Sequence, residues 1–353
     1  MGAANGKSSK MNMKIGKMPH GERNLISDVP GVRVGHCTVD SGNNHTGVTV
    51  VMPPCPNPYT DKLTAASCVF NGYGKTLGLV QVDELGTLET PIALTNTLNV
   101  GRVHDALVSY MLSLCERDGI MLTSVNPVVC ECNDSRMNDI SRRVIGEQEV
   151  FAAIASASAD FAQGAAGAGR GTTCYGMKGG IGSSSRIMEL DGKAFTMGVL
   201  VQSNYGTSAD FRRACLPDGL AESDQGSIIL IVATDLPLSA RQLKRVLRRT
   251  SVGMARLGSY IGNGSGEIAV GFTTAPRTDS GGSFQTQTLL QEDKMNIPFR
   301  AVGECAEEAI LQSMWHARAD VDLHGGAIPC LRDFFASGND LSAQAEKAGG
   351  NKK

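Results

Sequence analysis

The chain has 353 residues, with 33 basic against 35 acidic side chains, a formal charge of −2 and 41% hydrophobic residues. This length can bury a core without disulfide or metal staples, and the near-neutral charge argues against a nucleic-acid partner, which favours a strong basic excess. No run of about 18 apolar residues is present, so the sequence predicts no membrane span.

Cysteine and histidine are present without a metal-binding or disulfide spacing. The ten cysteines form no C-x-x-C pair, and the six histidines form no H-E-x-x-H motif. Cysteines scattered through apolar runs usually behave as small buried hydrophobes in a reducing compartment. We therefore expect no metal and no cofactor and, in the absence of a secretory signal pattern, a cytoplasmic location.

The two ends differ in composition from the middle of the chain. Residues 1–23 are polar and Lys-rich, and residues 337–353 contain few apolar side chains, so both are expected to be flexible tails. No linker-like break interrupts residues 24–336. We interpret this segment as one α+β domain whose strands are buried between layers.

Strands and helices are predicted from hydrophobic periodicity. In chain order, the predicted elements are strands at 47–53 and 92–95, a helix at 105–116, strands at 194–202 and 227–234, a helix at 239–257, a strand at 267–274 and a helix at 304–318. The helix at 239–257 opens with a possible capping box, Ser239-x-x-Gln242. Its basic face is interpreted as a solvated surface, with an acidic partner as the alternative.

A glycine-rich stretch, residues 164–186, resembles a nucleotide-binding loop only superficially. It has Gly167-x-Gly169-x-Gly171 without the final glycine spacing, and it follows a small-residue helix pattern where the dinucleotide motif needs a strand. The other interpretation is that these glycines let the backbone pass close to packed strands or to a substrate.

Ser265 stands between the helix at 239–257 and the strand at 267–274, directly after an Asn263-Gly264 turn. Local sequence leaves two interpretations open. In one, this is an ordinary helix-to-strand loop. In the other, a strained Gly264–Ser265 bond undergoes an N→O shift and hydrolysis, which frees Ser265 as a new N-terminus. Its α-amine, with a reference pKa near 8, could then serve as the base for its own hydroxyl.

Nine blocks of sequence occur in an order typical of one enzyme family: ERNLISDVPGVRVGHCTV (22–39), TGVTVVMP (46–53), NGYGKTLGL (71–79), LETPIALTNTLNVGRVHDA (88–106), NPVVCECNDSRMND (126–139), CYGMKGGIGSSSR (174–186), VLVQSNYG (199–206), ATDLPLSARQLKR (233–245) and NGSGEIAVGF (263–272). Through these blocks the chain resembles the DmpA-type aminopeptidases of peptidase family S58, which include the β-peptidyl aminopeptidases. The resemblance covers most of residues 22–318.

The resemblance implies a four-layer αββα sandwich of the DmpA and ornithine-acetyltransferase type. It implies self-cleavage between Gly264 and Ser265 into chains 1–264 and 265–353. It also implies hydrolysis of amide bonds next to a free amino terminus, in small peptides or in amino-acid amides or esters, with β- or D-residues accepted by some members. A homo-oligomer of four processed units is expected.

The same resemblance implies roles for individual site residues. Ser265 matches the nucleophile and Asn204 the oxyanion-stabilising asparagine, a neutral donor suited to a developing alkoxide. Glu304 matches a glutamate that would orient the Ser265 amine or relay protons. Glu131 and Asp134 match the acidic strand end that receives the substrate ammonium group, which needs a carboxylate when buried.

Two positions depart from the pattern of some family members. Arg136 stands where some carry a pocket aromatic, and Val302 stands where some place a serine two residues before the glutamate. The arginine predicts a preference for substrates with acidic groups. The valine indicates that any hydrogen-bond relay around Ser265 is built differently.

Two other functions are weighed against this one. An acyltransferase or pantetheine-type amidohydrolase of the same fold commonly uses threonine as nucleophile, which the serine here disfavours. A non-catalytic nucleotide-binding module using residues 164–186 would leave the chain uncut.

Overall fold

The structure, a computed structural model, describes residues 11, 13–211, 225–276, 278–279, 283 and 285–336. Its strands are β1 (Arg33–Ser41), β2 (Asn44–Met52), β3 (Leu63–Gly72), β4 (Thr87–Leu88), β5 (Ile92–Asn96), β6 (Val128–Cys132), β7 (Thr173–Cys174), β8 (Met177–Lys178), β9 (Gly180–Leu190), β10 (Lys193–Asn204), β11 (Ser227–Thr234), β12 (Gly266–Thr273), β13 (Thr278–Asp279), β14 (Gln285–Thr286), β15 (Asp320–Val321) and β16 (Ala327–Ile328). Its α-helices are α1 (Leu79–Leu85), α2 (Val100–Arg117), α3 (Glu147–Ala155), α4 (Ala240–Leu247), α5 (Thr250–Arg256), α6 (Asn296–Trp315) and α7 (Leu331–Ala336).

Two β-sheets form the centre of the molecule. The smaller has the strand order β1-β2-β5-β6, and the larger has the order β4-β3-β12-β11-β10-β9. Neighbouring strands are antiparallel except for β5 with β6 and β11 with β12, which are parallel. The strand β12 therefore lies inside the larger sheet, paired with β11 on one side and β3 on the other.

Apolar side chains fill three layers between these elements. One cluster joins the facing sides of the two sheets, and includes Leu94 of β5, Cys130 of β6 and Phe272 of β12. A second lies between the larger sheet and α4, α5 and α6, and a third lies between the smaller sheet and α2 and α3. The predicted α+β class and four-layer αββα sandwich are confirmed.

The predicted strands at 47–53, 92–95, 194–202, 227–234 and 267–274 correspond to β2, β5, β10, β11 and β12. The capping box is formed, because Ser239 Oγ accepts from the Gln242 N–H and Gln242 Oε1 accepts from the Ser239 N–H. The predicted helix at 239–257 is instead two helices, α4 and α5. At the break, Thr250 Oγ1 donates to the carbonyl of Leu247, a bond that competes with the helical ladder.

The last long helix begins earlier than predicted. The structure starts α6 at Asn296, whereas the sequence interpretation placed its beginning at Glu304. Pro298 lies in its first turn, where the missing N–H costs no helical hydrogen bond. The basic face of α4 is partly paired within the chain, with Arg241 and Arg245 contacting Glu292.

The glycine-rich stretch 164–186 is a packing element. A Cβ on Gly180 would lie 2.1 Å from the carbonyl oxygen of Gly164, and one on Gly169 would lie 2.5 Å from the amide nitrogen of Ile181. These glycines allow backbone segments to pack closely against each other. Gly169 and Gly180 are thus covered by the protein's own backbone, which disfavours a nucleotide-binding loop at these two positions, whereas Thr173 and Gly176 of the same segment line the cavity described below.

Part of the predicted N-terminal tail is docked on the sandwich. Ile15 is only 4% exposed, and its carbonyl accepts from Arg186 Nη2 at 2.9 Å. The Ile187 N–H donates to the Pro19 carbonyl, and the Gly21 N–H donates to Ser185 Oγ. We call residues 15–21 the N-terminal strap. Residues 1–10, residue 12 and the predicted C-terminal tail 337–353 lie outside the described residues. Within the described chain, no helix combines the length and apolarity needed to cross a bilayer.

Candidate active site

Ser265 immediately precedes β12, at the end of the larger sheet. Its side chain is fully buried, and its Oγ makes no hydrogen bond to any described residue. Its N–H donates to the carbonyl of Gly262, which closes a tight turn, and the next N–H, of Gly266, donates to the carbonyl of Gly226. A buried hydroxyl without a hydrogen-bond partner is free to act on a neighbouring group, which makes Ser265 Oγ a candidate reacting atom.

The turn before Ser265 is conformationally strained. Ile261 has a φ of +60°, in the left-handed region that β-branched residues rarely adopt. Asn71 of β3 lies across the turn, and its Nδ2 donates to the carbonyl oxygens of Gly262, Asn263 and Ser265. The carbonyls on both sides of the Gly264–Ser265 bond are thus held by one side chain.

Asn204, the last residue of β10, lies two strands away from this turn. It pairs with Ser227 of β11, which in turn pairs with Gly266 of β12. Two strand spacings correspond to about 10 Å between backbones, a gap that one substrate amide can occupy. The Asn204 Oδ1 accepts from the Thr173 N–H at 3.0 Å, and its Nδ2 donates to the Asn133 carbonyl at 2.8 Å. Because Oδ1 accepts this hydrogen bond, the orientation of the amide is fixed, and its Nδ2 group is the end that can donate hydrogen bonds.

A buried lysine stabilises, through hydrogen bonds, the loop that orients Asn204. Lys178 is fully buried, and its Nζ donates to the carbonyls of Gly169, Thr172 and Gly179. Burial lowers the pKa of Lys178 to about 7, and the nearby positive charge of Arg170 adds to this effect. Because Thr172 adjoins Thr173, this cage fixes the N–H that sets the orientation of the Asn204 amide.

Glu131 of β6 supplies the carboxylate of the site. It is 3% exposed, and its Oε1 accepts from the Lys75 N–H at 3.0 Å while its Oε2 accepts from Thr97 Oγ1. These two donors come from the ends of β3 and β5, so elements of both sheets orient one carboxylate. The two hydrogen bonds fix the position of the carboxylate, which is the group that an ammonium ligand pairs with.

One cavity of about 500 Å³ joins these groups at the ends of the strands. Its wall includes Gly264, Asn204, Glu131, Arg136, Lys75 and Tyr73. The volume is in the range of sites for small organic ligands. The structure thus brings together the predicted residues Gly264, Asn204, Glu131 and Arg136, with Ser265 buried directly behind Gly264.

Asp134 does not line this cavity, contrary to its predicted role in binding the substrate ammonium group. It is 1% exposed, and it accepts from Thr46 Oγ1 at 2.6 Å and from Asn138 Nδ2 at 3.0 Å. Burial raises the pKa of Asp134 to about 6, although these hydrogen bonds oppose the rise. Asp134 is a structural carboxyl that holds the turn after β6.

Glu304 is also placed away from the cavity, which contradicts the prediction that it orients the Ser265 amine. Its Oε1 accepts from the Lys17 N–H at 3.0 Å, and its Oε2 accepts from the Met18 N–H and from Arg186 Nε. Arg186 lies in the same cross-strand row as Thr273. That row is eight residues beyond Ser265, or about 26 Å along β12.

The physical reason is the position of Glu304 within α6. The helix packs along β9 and β10 with Cys305 near Met197, so this turn of the helix lies over the opposite end of the larger sheet. Val302, the second departure from the family pattern, is buried in the apolar layer beside it. No relay from these residues reaches Ser265.

Four residues of the site were not identified from the sequence. Asn71 and Lys75 belong to the quoted block 71–79, and Thr97 follows β5, but none carries a local motif. Glu267 is a fully buried carboxyl two residues after Ser265, about 7 Å along the strand. An acidic residue in an otherwise apolar strand is an unusual placement, and that signal could have singled out Glu267.

Among the described residues, no group of three or more His, Cys, Asp or Glu side chains is placed to hold a metal ion. The free cysteines include Cys37, Cys55, Cys68, Cys115, Cys130, Cys132, Cys305 and Cys330, and Cys215 lies outside the described residues.

Comparison with known proteins gives a consistent result. The model of peptidase family S58 matches residues 24–326. The β-peptidyl aminopeptidase BapA of Sphingosinicella xenopeptidilytica is 35% identical over 327 residues, which cover 83% of this chain and 81% of that protein.

Two solved structures are similar over nearly their whole length. A protein from Pyrococcus horikoshii OT3 is 41% identical with a TM-score of 0.85, covering 94% of this chain and 98% of its own. The L-aminopeptidase D-Ala-esterase/amidase from Ochrobactrum anthropi, a prototype of the serine aminopeptidases with a variant of the Ntn hydrolase fold, is 30% identical with a TM-score of 0.83. That match covers 92% of this chain and 97% of its own.

Proposed function

The chain belongs to peptidase family S58, and on that basis we propose that it is a self-processing serine aminopeptidase. It has the fold of the N-terminal-nucleophile hydrolases, and its relatives are aminopeptidases. The proposed substrates are small peptides and amino-acid amides or esters with a free amino terminus, including β- or D-residues.

The observation that carries the proposal is the geometry around the Gly264–Ser265 bond. Gly264 lines the cavity, and Ser265 behind it has a buried hydroxyl without a hydrogen-bond partner among the described residues. The preceding turn contains the strained Ile261 and is held by Asn71. A strained turn next to an uncommitted hydroxyl is an arrangement that favours an intramolecular acyl shift.

In the self-processing step, Ser265 Oγ attacks the carbonyl carbon of Gly264. A C–O bond forms and the C–N bond between the two residues breaks, while the hydroxyl proton passes to the departing Ser265 nitrogen. Water then hydrolyses the ester. The products are the chains 1–264 and 265–353, and the second begins with a free α-amine.

In the proposed catalytic cycle, the α-amine of Ser265 takes the proton of its own hydroxyl as Oγ attacks the substrate carbonyl. Asn204 Nδ2 stabilises the developing oxyanion, and Glu131 binds the substrate ammonium group. The amine then returns the proton to the leaving nitrogen, and water releases the acyl group. Glu267, the buried carboxyl next to Ser265 in sequence, replaces Glu304 as the candidate group that orients the α-amine.

Denaturing electrophoresis with intact-mass measurement tests the processing step. The parent protein is expected to yield two chains, the second beginning Ser265-Gly266-Glu267, and Ser265→Ala is expected to yield one uncut chain. Ser251→Ala, on the exposed side of α5, is the matched control and should be cleaved like the parent. A parent protein that stays a single full-length chain while it hydrolyses amides would refute the proposed nucleophile.

A substrate panel tests the second half of the proposal. Amides of α-, β- and D-amino acids are compared with the same compounds acetylated at nitrogen. Hydrolysis of the free amines and rejection of the acetylated forms is the expected result, because only the free ammonium pairs with Glu131. Equal turnover of both forms would exclude aminopeptidase specificity.

A further inference from the structure

The charges around the cavity suggest a second substrate group besides the amine. Among the described residues that line the cavity, one is a carboxylate, Glu131, while two are cations, Lys75 and Arg136. The described part of the cavity wall therefore carries more positive than negative charge. A cleft lined by one sign of charge concentrates ligands of the other sign.

The two cations are not neutralised by close ion pairs in the described part of the chain. Arg136 has a distant partner in Asp322, at 3.8 Å from Nε to Oδ2. Asp322 is held in place by its Oδ1, which accepts from the N–H groups of His324 and Gly326 at 2.9 and 2.8 Å, while its Oδ2 is the atom nearest to the guanidinium. It orients the guanidinium from outside hydrogen-bond distance and leaves it free to bind a ligand.

Lys75 also keeps its positive charge, in a different environment. Its Nζ lies 4.8 Å from the centre of the Tyr73 ring, a cation–π contact that fixes the ammonium without cancelling its charge. Its backbone N–H meanwhile holds Glu131. One residue thus contributes to the amine-binding carboxylate through its backbone and to the positive part of the wall through its side chain.

From this arrangement we propose that the cavity contains a carboxylate-binding subsite formed by Arg136 and Lys75, and that the preferred substrates carry a carboxylate as well as the amino terminus. The proposal deepens the proposed aminopeptidase function and rests on it for the chemistry of the substrate. Arg136 is suited to the task, since a guanidinium binds a carboxylate through two parallel hydrogen bonds.

The carboxylate can come from two parts of a substrate. It can be the C-terminus of a dipeptide, whose two residues span about 7 Å, or an acidic side chain on the residue that bears the amine. Both are small enough for a cavity of about 500 Å³ whose wall includes Glu131, Lys75 and Arg136. The substrate pairs of the test distinguish these two sources.

Binding is measured first, on Ser265→Ala, because that protein keeps the uncut chain described by the structure. The probes are Ala-Ala against Ala-Ala amide, and glutamic acid α-amide against glutamine α-amide, titrated by calorimetry. We expect at least tenfold tighter binding of the charged member in one pair, which identifies the source of the carboxylate. Equal affinities within both pairs would overturn the proposal.

The same titrations on Arg136→Gln and Lys75→Gln assign the subsite. Arg136→Gln is expected to abolish the discrimination, Lys75→Gln to reduce it severalfold, and Arg136→Lys to retain part of it. Arg142→Gln, an exposed arginine outside the cavity, is the matched control and should leave discrimination unchanged. Discrimination that survives in both glutamine variants would also overturn the proposal.

Turnover by the processed parent then separates this inference from the proposed function. With an active enzyme, the preference should appear chiefly as a lower KM for the charged substrate, which Arg136→Gln removes. If no amide is hydrolysed although binding discriminates as expected, the proposed function fails and the subsite stands. If amides are hydrolysed with equal kcat/KM within both pairs, the subsite fails and the proposed function stands.

Discussion

Two ends of the larger sheet carry buried polar side chains, and they differ in how those side chains are paired. At one end, Glu304 has both carboxylate oxygens occupied by the N-terminal strap and by the buried Arg186. At the other end, Ser265 is buried without a partner among the described residues, and the nearby Glu131 of the smaller sheet faces a cavity. We infer that a polar group saturated by its own chain serves stability, whereas one that is held in place and still faces a cavity serves chemistry.

The largest expected effect follows from removing the nucleophile. Ser265→Ala should abolish both chain cleavage and amide hydrolysis, because one side chain performs both attacks. The free energy of unfolding of the uncut chain should change little, since the lost hydroxyl has no partner to leave behind. Gel analysis, turnover and urea unfolding measure the three quantities. Residual hydrolysis above a tenth of the parent rate would place the nucleophile elsewhere.

The next effect concerns the oxyanion. Asn204→Ala should lower kcat about 10²- to 10³-fold, with a smaller change in KM, because the amide acts on charge that develops in the transition state. Steady-state kinetics on fully cleaved protein provide the measurement. Asn133→Ala is the matched control, since it removes an amide side chain but keeps the carbonyl that accepts from Asn204. Comparable losses of kcat in both variants would count against a specific role for Asn204.

A direct contrast between the two ends uses paired carboxyl variants. Glu304→Gln should lower the free energy of unfolding by about 2 kcal/mol, because it weakens charge-assisted hydrogen bonds, and should leave kcat/KM of the folded enzyme unchanged. Glu131→Gln should instead raise KM for amino-terminal substrates. The proposed difference in role between the two ends would be contradicted if Glu304→Gln changes KM or if its unfolding curve matches that of the parent.

The pH dependence of stability sharpens the same contrast. Burial acts to raise the pKa of Glu304, but the N–H groups of Met18 and Lys17 and the charge of Arg186 outweigh it, so the pKa lies below its ordinary value of 4.5. The stabilisation is therefore fully present above the unfolded-state pKa and is lost as pH falls through the folded-state pKa. Parent and Glu304→Gln should differ in urea unfolding at pH 7 and converge as the pH falls through the folded-state pKa, which lies below 4.5. An unchanged difference at low pH would contradict the assignment.

The smallest effect is expected from the turn before the cleavage point. Ile261→Gly relieves a positive φ and should slow cleavage about fivefold, equivalent to about 1 kcal/mol of lost strain. The uncut chain should become more stable by a similar amount when measured in the Ser265→Ala background. Ile261→Val keeps the β-branch and is the matched control. Faster cleavage in the glycine variant would mean that the strain does not assist the reaction.

Several features were predictable because they depend on local chemistry. Short apolar runs rich in β-branched residues located β2, β5, β10, β11 and β12, and the Ser239-x-x-Gln242 box located the start of α4. The turn residues Asn263 and Gly264 followed by a strand marked Ser265, and the order of the quoted blocks led to the family. In each case the relevant neighbours lie within a few residues.

The roles of the carboxyl groups depend on the tertiary structure and could not be predicted from the sequence. Glu131, Asp134 and Glu304 are equivalent in sequence as acidic residues at the margins of apolar elements, but only Glu131 faces the cavity. Glu304 finds its partner in Lys17, 287 residues away in the chain. The hydrophobic pattern and turn preferences report on neighbours along the chain, whereas the role of an ionisable group depends on which distant donors and cavities the packed layers bring to it.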